Sequence, residues 1–479
     1  DLTYDSVRGR WVVAATVLGS SIAMLTGTVV NVALPSIGSD LGASVSDLQW
    51  IVNGYMLTLA SLILIGGSLG DRFGRRRIYL VGVVLFTAAT LLCAVAPNTQ
   101  LLIGARIRSG VGGALLVPGS LAIIQASFRS EDRSTAIGAW SGLSGIAVAL
   151  GPPIGGFLVD TVGWRWIFVI PLPLAAFVLG VAARHIPESK DPTVEGAIDY
   201  LGAGLAVAFL SFLTYPMISA SEGGVGWWET LLLAAGLLAL WLFLRVERST
   251  DKPMLPPDVF ADQQFAAANI VTFVVYASLG GVFFLLVVQL QTALGFTATA
   301  AGAAPIPITL IMFALSARAG RLAQRIGPRR PLTIGPLITA AGMLLMARIE
   351  PGSTYFTDVL PAVVVFGLGL ALIVAPVTAT ALAAVDERHS GVASGVNNAV
   401  SRTAQLVVVA ALPAIVGIGG SDYANPQAFS DAFGNAMVIT AFVAAAGSAV
   451  AWFLISDDVL ADDESEPHYH CAAESTPQA

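Results

Sequence analysis

Three arginines stand inside long apolar blocks of this chain: Arg106 and Arg108 in the block 100–125, and Arg402 in the block 392–417. A guanidinium carries five donors, no acceptor and a permanent charge. At hydrocarbon depth it needs a carbonyl, a water-filled cavity or an anionic partner. Arg106 and Arg108 are two residues apart, so on a helix they point to different sides. Arg108 is the one expected to snorkel or to bond between helices. Neutral polar residues share these blocks: Asn31, Asn53, Tyr55, Gln289, Gln291, Asn397 and Asn398. Each could contact a substrate or satisfy a neighbouring helix. No Asp or Glu falls well inside a block; Asp71, Asp160, Asp199, Glu222 and Glu229 lie near block ends. The four histidines, His185, His389, His468 and His470, fall in loops or the tail. A nucleophile–base pair or metal set within the blocks is therefore not expected, and neither is an enzyme or a metal cofactor. No Gly-x-x-x-x-Gly-Lys-Ser/Thr loop is present, which sets ATP hydrolysis aside.

The elements that hold these residues must sit in lipid. Of 479 residues 56% are hydrophobic and 11% charged, with a mean hydropathy of +0.78. Soluble domains carry about 25% charged residues. The apolar blocks approach 20 residues, enough to cross a bilayer as a helix. They are read at 11–34, 48–67, 78–96, 100–125, 134–158, 164–184, 199–218, 227–245, 264–290, 298–317, 332–347, 358–383, 392–417 and 434–455. The first is read as a span and not as a cleaved signal. Fourteen spans place both termini on one side. Nineteen of the 24 basic residues gather at that side, and only Arg165 and Arg348 at the other. The positive-inside rule then makes the termini cytoplasmic. Two cysteines, Cys93 and Cys471, make no disulfide framework. Trp164, Arg165 and Trp166 read as an interfacial anchor.

An internal repeat organises the spans. The run Gly67-Ser68-Leu69-Gly70-Asp71-Arg72-Phe73-Gly74-Arg75-Arg76-Arg77 returns as Gly320 to Arg330, an offset of 253 residues. Glu131-Asp132-Arg133 returns as Asp386-Glu387-Arg388, an offset of 255. Two matches at nearly one offset imply two equivalent halves, a parallel repeat. The expected units are 1–190, a six-helix bundle; 191–250, two inserted helices; 251–456, a second six-helix bundle; and 457–479, a disordered acidic tail. In the first loop, Gly67 and Gly74 allow helix ends to approach. Asp71 can pair with an arginine or cap a helix, with Arg72, Arg75 and Arg76 beside it, as a gate between the bundles. The copy has Gln324 in place of Asp71. The block 134–158 carries Gly151, Pro152, Gly155 and Gly156, a kink with a close-packing face.

Together these motifs resemble the fourteen-span drug:proton antiporter family of the major facilitator superfamily, over nearly the whole chain. The resemblance is carried by Thr28-Val29-Val30-Asn31-Val32-Ala33-Leu34-Pro35, by Trp50 and Tyr55, by the loop Gly67–Arg77, by Arg106 with Gly110 and Gly112, by the Gly151–Gly156 motif and by Trp164–Phe168. It implies an all-α major facilitator fold, export of lipophilic or amphipathic small molecules by alternating access, and proton coupling. It also makes Arg106 a cavity residue; Arg402 is a candidate from its own place inside a span. The chain departs from the family pattern at Thr26, where an acid is usual, and at Ser109, where Gln is usual. The alternative is thus an uncoupled or anion-selective facilitator, import included. The expected partners are a small-molecule substrate, the lipid bilayer of a bacterial inner membrane and protons as the candidate coupling ion. No nucleic acid or cofactor is expected, and the working unit is expected to be a monomer.

Overall fold

The computed structural model describes residues 2–190, 199–224, 226–250, 255, 257–385, 390–419 and 425–460. Each apolar block forms one helix. The first half holds α1 (Val7–Leu41), α2 (Val45–Phe73), α3 (Arg75–Ala94), α4 (Thr99–Ser127), α5 (Ser130–Thr161) and α6 (Trp166–His185). Two helices follow, α7 (Tyr200–Gly223) and α8 (Trp227–Ser249). The second half holds α9 (Gln263–Thr292), α10 (Ala298–Ile326), α11 (Arg329–Met346), α12 (Tyr355–Ala383), α13 (Ser390–Val416) and α14 (Pro426–Leu454). Thirteen of these are long and apolar enough to cross a membrane. The other, α11, opens on Arg329 and Arg330 but packs inside its bundle against α12 and α14. The repeat copy at 386–388, the linker 191–198 and the tail beyond 460 lie outside the described residues.

Helix ends extend past the apolar blocks because their caps are polar. Ser6 accepts from Gly9 N–H at the start of α1, and Gly42, at φ 62°, ends it in the left-handed conformation. Ser44 and Asp47 form a capping box on α2.

Packing follows the repeat. In the first half α4 lies on α2 and α3, and α1 lies on α5 and α6. In the second half α12 lies on α10 and α11, and α9 lies on α13 and α14. Glycine sets the closest crossings. A Cβ on Gly112 of α4 would sit 2.5 Å from the Phe86 backbone nitrogen of α3, and one on Gly342 of α11 would sit 2.5 Å from that of Phe366 on α12. Of the expected aromatic anchor, only Trp166 is exposed; Trp164 is buried. Its indole N–H donates to Asp40, which also pairs with Arg165 at 2.7 Å. The pairing to α1 draws that ring inward, so it packs within the protein instead of marking the interface.

The inserted pair is asymmetric. Helix α7 packs on both α2 and α13, covering one seam between the halves, whereas α8 packs mainly on α7. Gln49 fastens this seam: its amide donates to the Val409 and Ala410 carbonyls of α13 and accepts from Ser221 of α7.

Replacing Gly112 by Val forces α3 and α4 apart, and overpacking of this kind costs about 1–3 kcal/mol. The expected outcome is a thermal midpoint several degrees lower in detergent, with the far-UV helical signal retained.

Candidate functional site

At the centre of the first half, α4 carries Arg106 to a position with no solvent exposure. Its Nε donates to the Ile51 carbonyl of α2 at 2.9 Å and its Nη1 to the Thr26 carbonyl of α1 at 3.3 Å. The guanidinium lies over the Tyr55 ring, 4.5 Å from its centroid, and Tyr55 donates its hydroxyl to Ala23 O of α1. One side chain thereby ties three helices, while Nη2 is buried without a partner. Thr26 is buried as well, its hydroxyl turned back to Ile22 O at 2.7 Å. From the second half, α13 carries Arg402 and packs on α2, the helix of Tyr55. The Arg402 Nε is buried and unpartnered. Arg108 is exposed and donates to Gly104 O of its own helix.

The remaining polar candidates divide. Asn53 is fully buried on the Gln49 face of α2, and neither of its amide atoms has a partner. Asn31 Oδ1 is likewise unpartnered. Asn398 lies one turn from Arg402 on α13, exposed, with its amide on Ser394 O. Gln289 and Asn397 do not join this group. Gln289 donates to Ile349 O and Ser430 within the second half, and Asn397 to Asn269 and Thr272 of α9. Gln291 instead reaches across the halves to Val32 O at 3.0 Å.

At the arginine-rich end the repeated loops share a device that the sequence comparison did not reveal. Asp71 pairs with Arg75 at 2.7 Å, one turn on, and Arg72 lies over the Phe73 ring. Gly74, at φ 114°, turns the chain, and Arg76 N–H donates to Glu188 just after α6. The Arg76 side chain holds Glu188 at 3.7 Å and the Ile186 carbonyl at 3.2 Å. In the second half Gly327, at φ 82°, makes the same turn, and Arg329 N–H donates to Asp457 just after α14. A carboxylate thus faces the first turn of α3 and of α11 alike. The Asp71–Arg75 pair and the Arg76 contacts to Ile186 and Glu188 lie within the first half.

The opposite end joins the halves. Asp160, at the last turn of α5, accepts from Ala298 N–H at 3.1 Å, Thr299 N–H at 2.8 Å and the Thr299 hydroxyl at 2.6 Å, capping α10. Gly151 and Gly155 face α1 at Leu25, Thr28 and Val29. Gly156 meets the backbone of Ala298 and Thr299, and Gly302 that of Pro152 and Pro153. Toward the arginine-rich end this seam opens: Gly138, Gly142 and Gly145 of α5 would meet nothing within 4 Å if each carried a Cβ. The cleft is sealed at one end and open at the other. Sequence reasoning singled out neither Gln49 nor Glu188 and left Asp160 as a residue near an interface. The available signal for Asp160 was Thr297, a helix-cap residue ahead of α10.

Two repeated all-helical bundles around a cleft closed at one end define a membrane transporter. The Major Facilitator Superfamily model matches residues 16–409, and the chain belongs to that family, whose members are transporters and not enzymes. It is 35% identical over 415 residues to a probable actinorhodin transporter of Streptomyces coelicolor, covering 84% of this chain and 72% of the relative. It is 33% identical to the puromycin resistance protein pur8 of Streptomyces alboniger, covering 96% and 93%. To a methylenomycin A resistance protein of Bacillus subtilis it is 34% identical, covering 88% and 90%. Among solved structures it resembles a bacterial homologue of the human drug peptide transporters PepT1 and PepT2, with TM-score 0.67, 13% identity, and coverage of 93% and 98%. A D-xylose–proton symporter gives TM-score 0.63 at 16% identity, covering 94% and 98%.

Because Arg106 ties α1, α2 and α4, Arg106→Ala leaves two buried carbonyls and a cavity behind. A loss of about 2 kcal/mol or more is expected, read as a lowered thermal midpoint. An unchanged midpoint would remove the structural part of its role.

Proposed function

We propose that this protein exports lipophilic or amphipathic small molecules by alternating access, with protons as the coupling ion. The observation that carries the reading is the sealed end. Asp160 on one half caps a helix of the other, while the same seam stands open at the arginine-rich end. The positive-inside rule makes the arginine-rich end cytoplasmic, so the cleft faces the side from which an exporter loads. The named relatives include resistance proteins for puromycin and methylenomycin A, which supports export as the direction. The units 1–190, 191–250 and 251–456 would then act as a rocking pair with a fixed insert between them.

One observation favours uncoupled movement as a second reading. Every acidic residue of the described helices lies within about two turns of a helix end, so no carboxylate stands at the bilayer centre to carry a proton.

The experiment uses everted membrane vesicles and radiolabelled puromycin and methylenomycin A. Energised vesicles are expected to accumulate at least one compound, and a protonophore is expected to abolish the accumulation. Asp160→Ala is expected to insert normally yet slow it severalfold, because the outer seal no longer re-forms. Equilibration that persists with the protonophore would favour the uncoupled reading, and no movement of either compound would count against export of such molecules.

A further inference from the structure

Arg106 and Arg402 pose an electrostatic problem that the protein does not solve by itself. Ion pairs of the described residues include Arg10–Asp5, Arg75–Asp71, Arg76–Glu188 and Arg165–Asp40, and none of these includes a central arginine. A cation in a low-dielectric interior is costly unless an opposite charge or several acceptors surround it. Arg106 has two backbone carbonyls and an aromatic face, yet its Nη2 remains buried and unpartnered. Arg402, on α13 of the other half, has a buried, unpartnered Nε.

The contacts of α2 and α13 fix their relative level. The two helices run antiparallel, with Gln49 against Val409 and Ala410 near one end and Gly395 beside Leu64 near the other. This register sets Asn53 opposite Leu406 and places Arg402 near the level of Leu57. Tyr55, whose ring carries the Arg106 guanidinium, is thus within a turn of the level of Arg402. Asn53, with both amide atoms buried and unpartnered, is half a turn away along α2. Asn398 extends the Arg402 face one turn toward the open end. Donors outnumber acceptors here, and the net formal charge of the two central side chains is positive. An apolar lipophilic cation would meet repulsion at this point; a carboxylate or phenolate would meet an unfilled fork.

We propose that the transported molecule is an amphipathic organic anion, whose acidic group docks on Arg402 within the field of Arg106 at the level of Tyr55. This deepens the export reading and rests on it. Arg106, enclosed by backbone, acts as a positioning residue that holds the charge field and the Tyr55 ring. Arg402 is the group that touches the anion. Placing the two arginines on opposite halves gives the anion a further part: it neutralises charge on both sides of the seam before the halves rock.

The test is transport into everted vesicles of three probes with one ring system: anthracene-9-carboxylate, 9-(aminomethyl)anthracene and 9-(hydroxymethyl)anthracene. The carboxylate is expected to move about tenfold faster than either partner. Arg402→Gln is expected to slow it by about tenfold or more, and Arg402→Lys to restore part of the rate by returning the charge without the fork. A thermal midpoint close to wild type in both variants separates loss of binding from loss of fold. Should the amine or the alcohol move as fast as the carboxylate, the anion proposal is overturned while export stands. Arg402→Gln carrying the carboxylate at the wild-type rate overturns it equally. No movement of any of the three counts against this proposal and the transport reading together.

Discussion

Two helices from different halves can touch backbone to backbone only where side chains are absent, and α5 and α10 do so at the arginine-poor end. Gly156 admits the backbone of Ala298 and Thr299, and Gly302 admits that of Pro152 and Pro153. The approach brings the first turn of α10 onto Asp160, which satisfies donors that a helix N-terminus otherwise leaves open. Glycine removes the steric barrier and aspartate supplies direction, so the contact is close but not covalent, and separable. The opening of this seam toward the other end and the exposure of the arginine-rich half of α5 go with this closure.

The seam on the other side of the molecule is built differently. There Gln49 joins α2 to α13 and α7 lies across both. Alternating access needs both seams to change, but only the α5–α10 seam is free of an inserted helix. A lipophilic molecule arriving from the bilayer would meet α7 on one side and an open seam on the other. The inserted hairpin thus breaks the two-fold equivalence that the repeated packing of the halves otherwise suggests.

Much of this architecture was legible in the sequence. All fourteen apolar blocks became helices because lipid forces every backbone group to be satisfied within its own segment. The offset of 253 residues found the repeated loops because their glycines and arginines are chemically distinctive. Their acidic partners went unseen: Glu188 and Asp457 differ in type and lie 269 residues apart, since the connections in between differ in length. The contrast between Arg106 and Arg108 followed from helix geometry alone. That Arg106 would be fully enclosed by the carbonyls of Thr26 and Ile51 could not follow, because it depends on how α1 and α2 cross α4. Asp160 was read as an interfacial acid because its partners, the backbone N–H groups of α10, have no signature in a side-chain alphabet.

If the halves rock about the cleft, the sealed and open ends exchange. Spin labels at Thr161 and Gly295 report the sealed end, and labels at Ser141 and Ala317 report the open end; distances would be measured by pulsed electron spectroscopy in lipid nanodiscs with and without anthracene-9-carboxylate. A reciprocal shift is expected: a longer distance appears for Thr161–Gly295 as the Ser141–Ala317 distance shortens. Two distances that stay fixed, or that lengthen together, would contradict it.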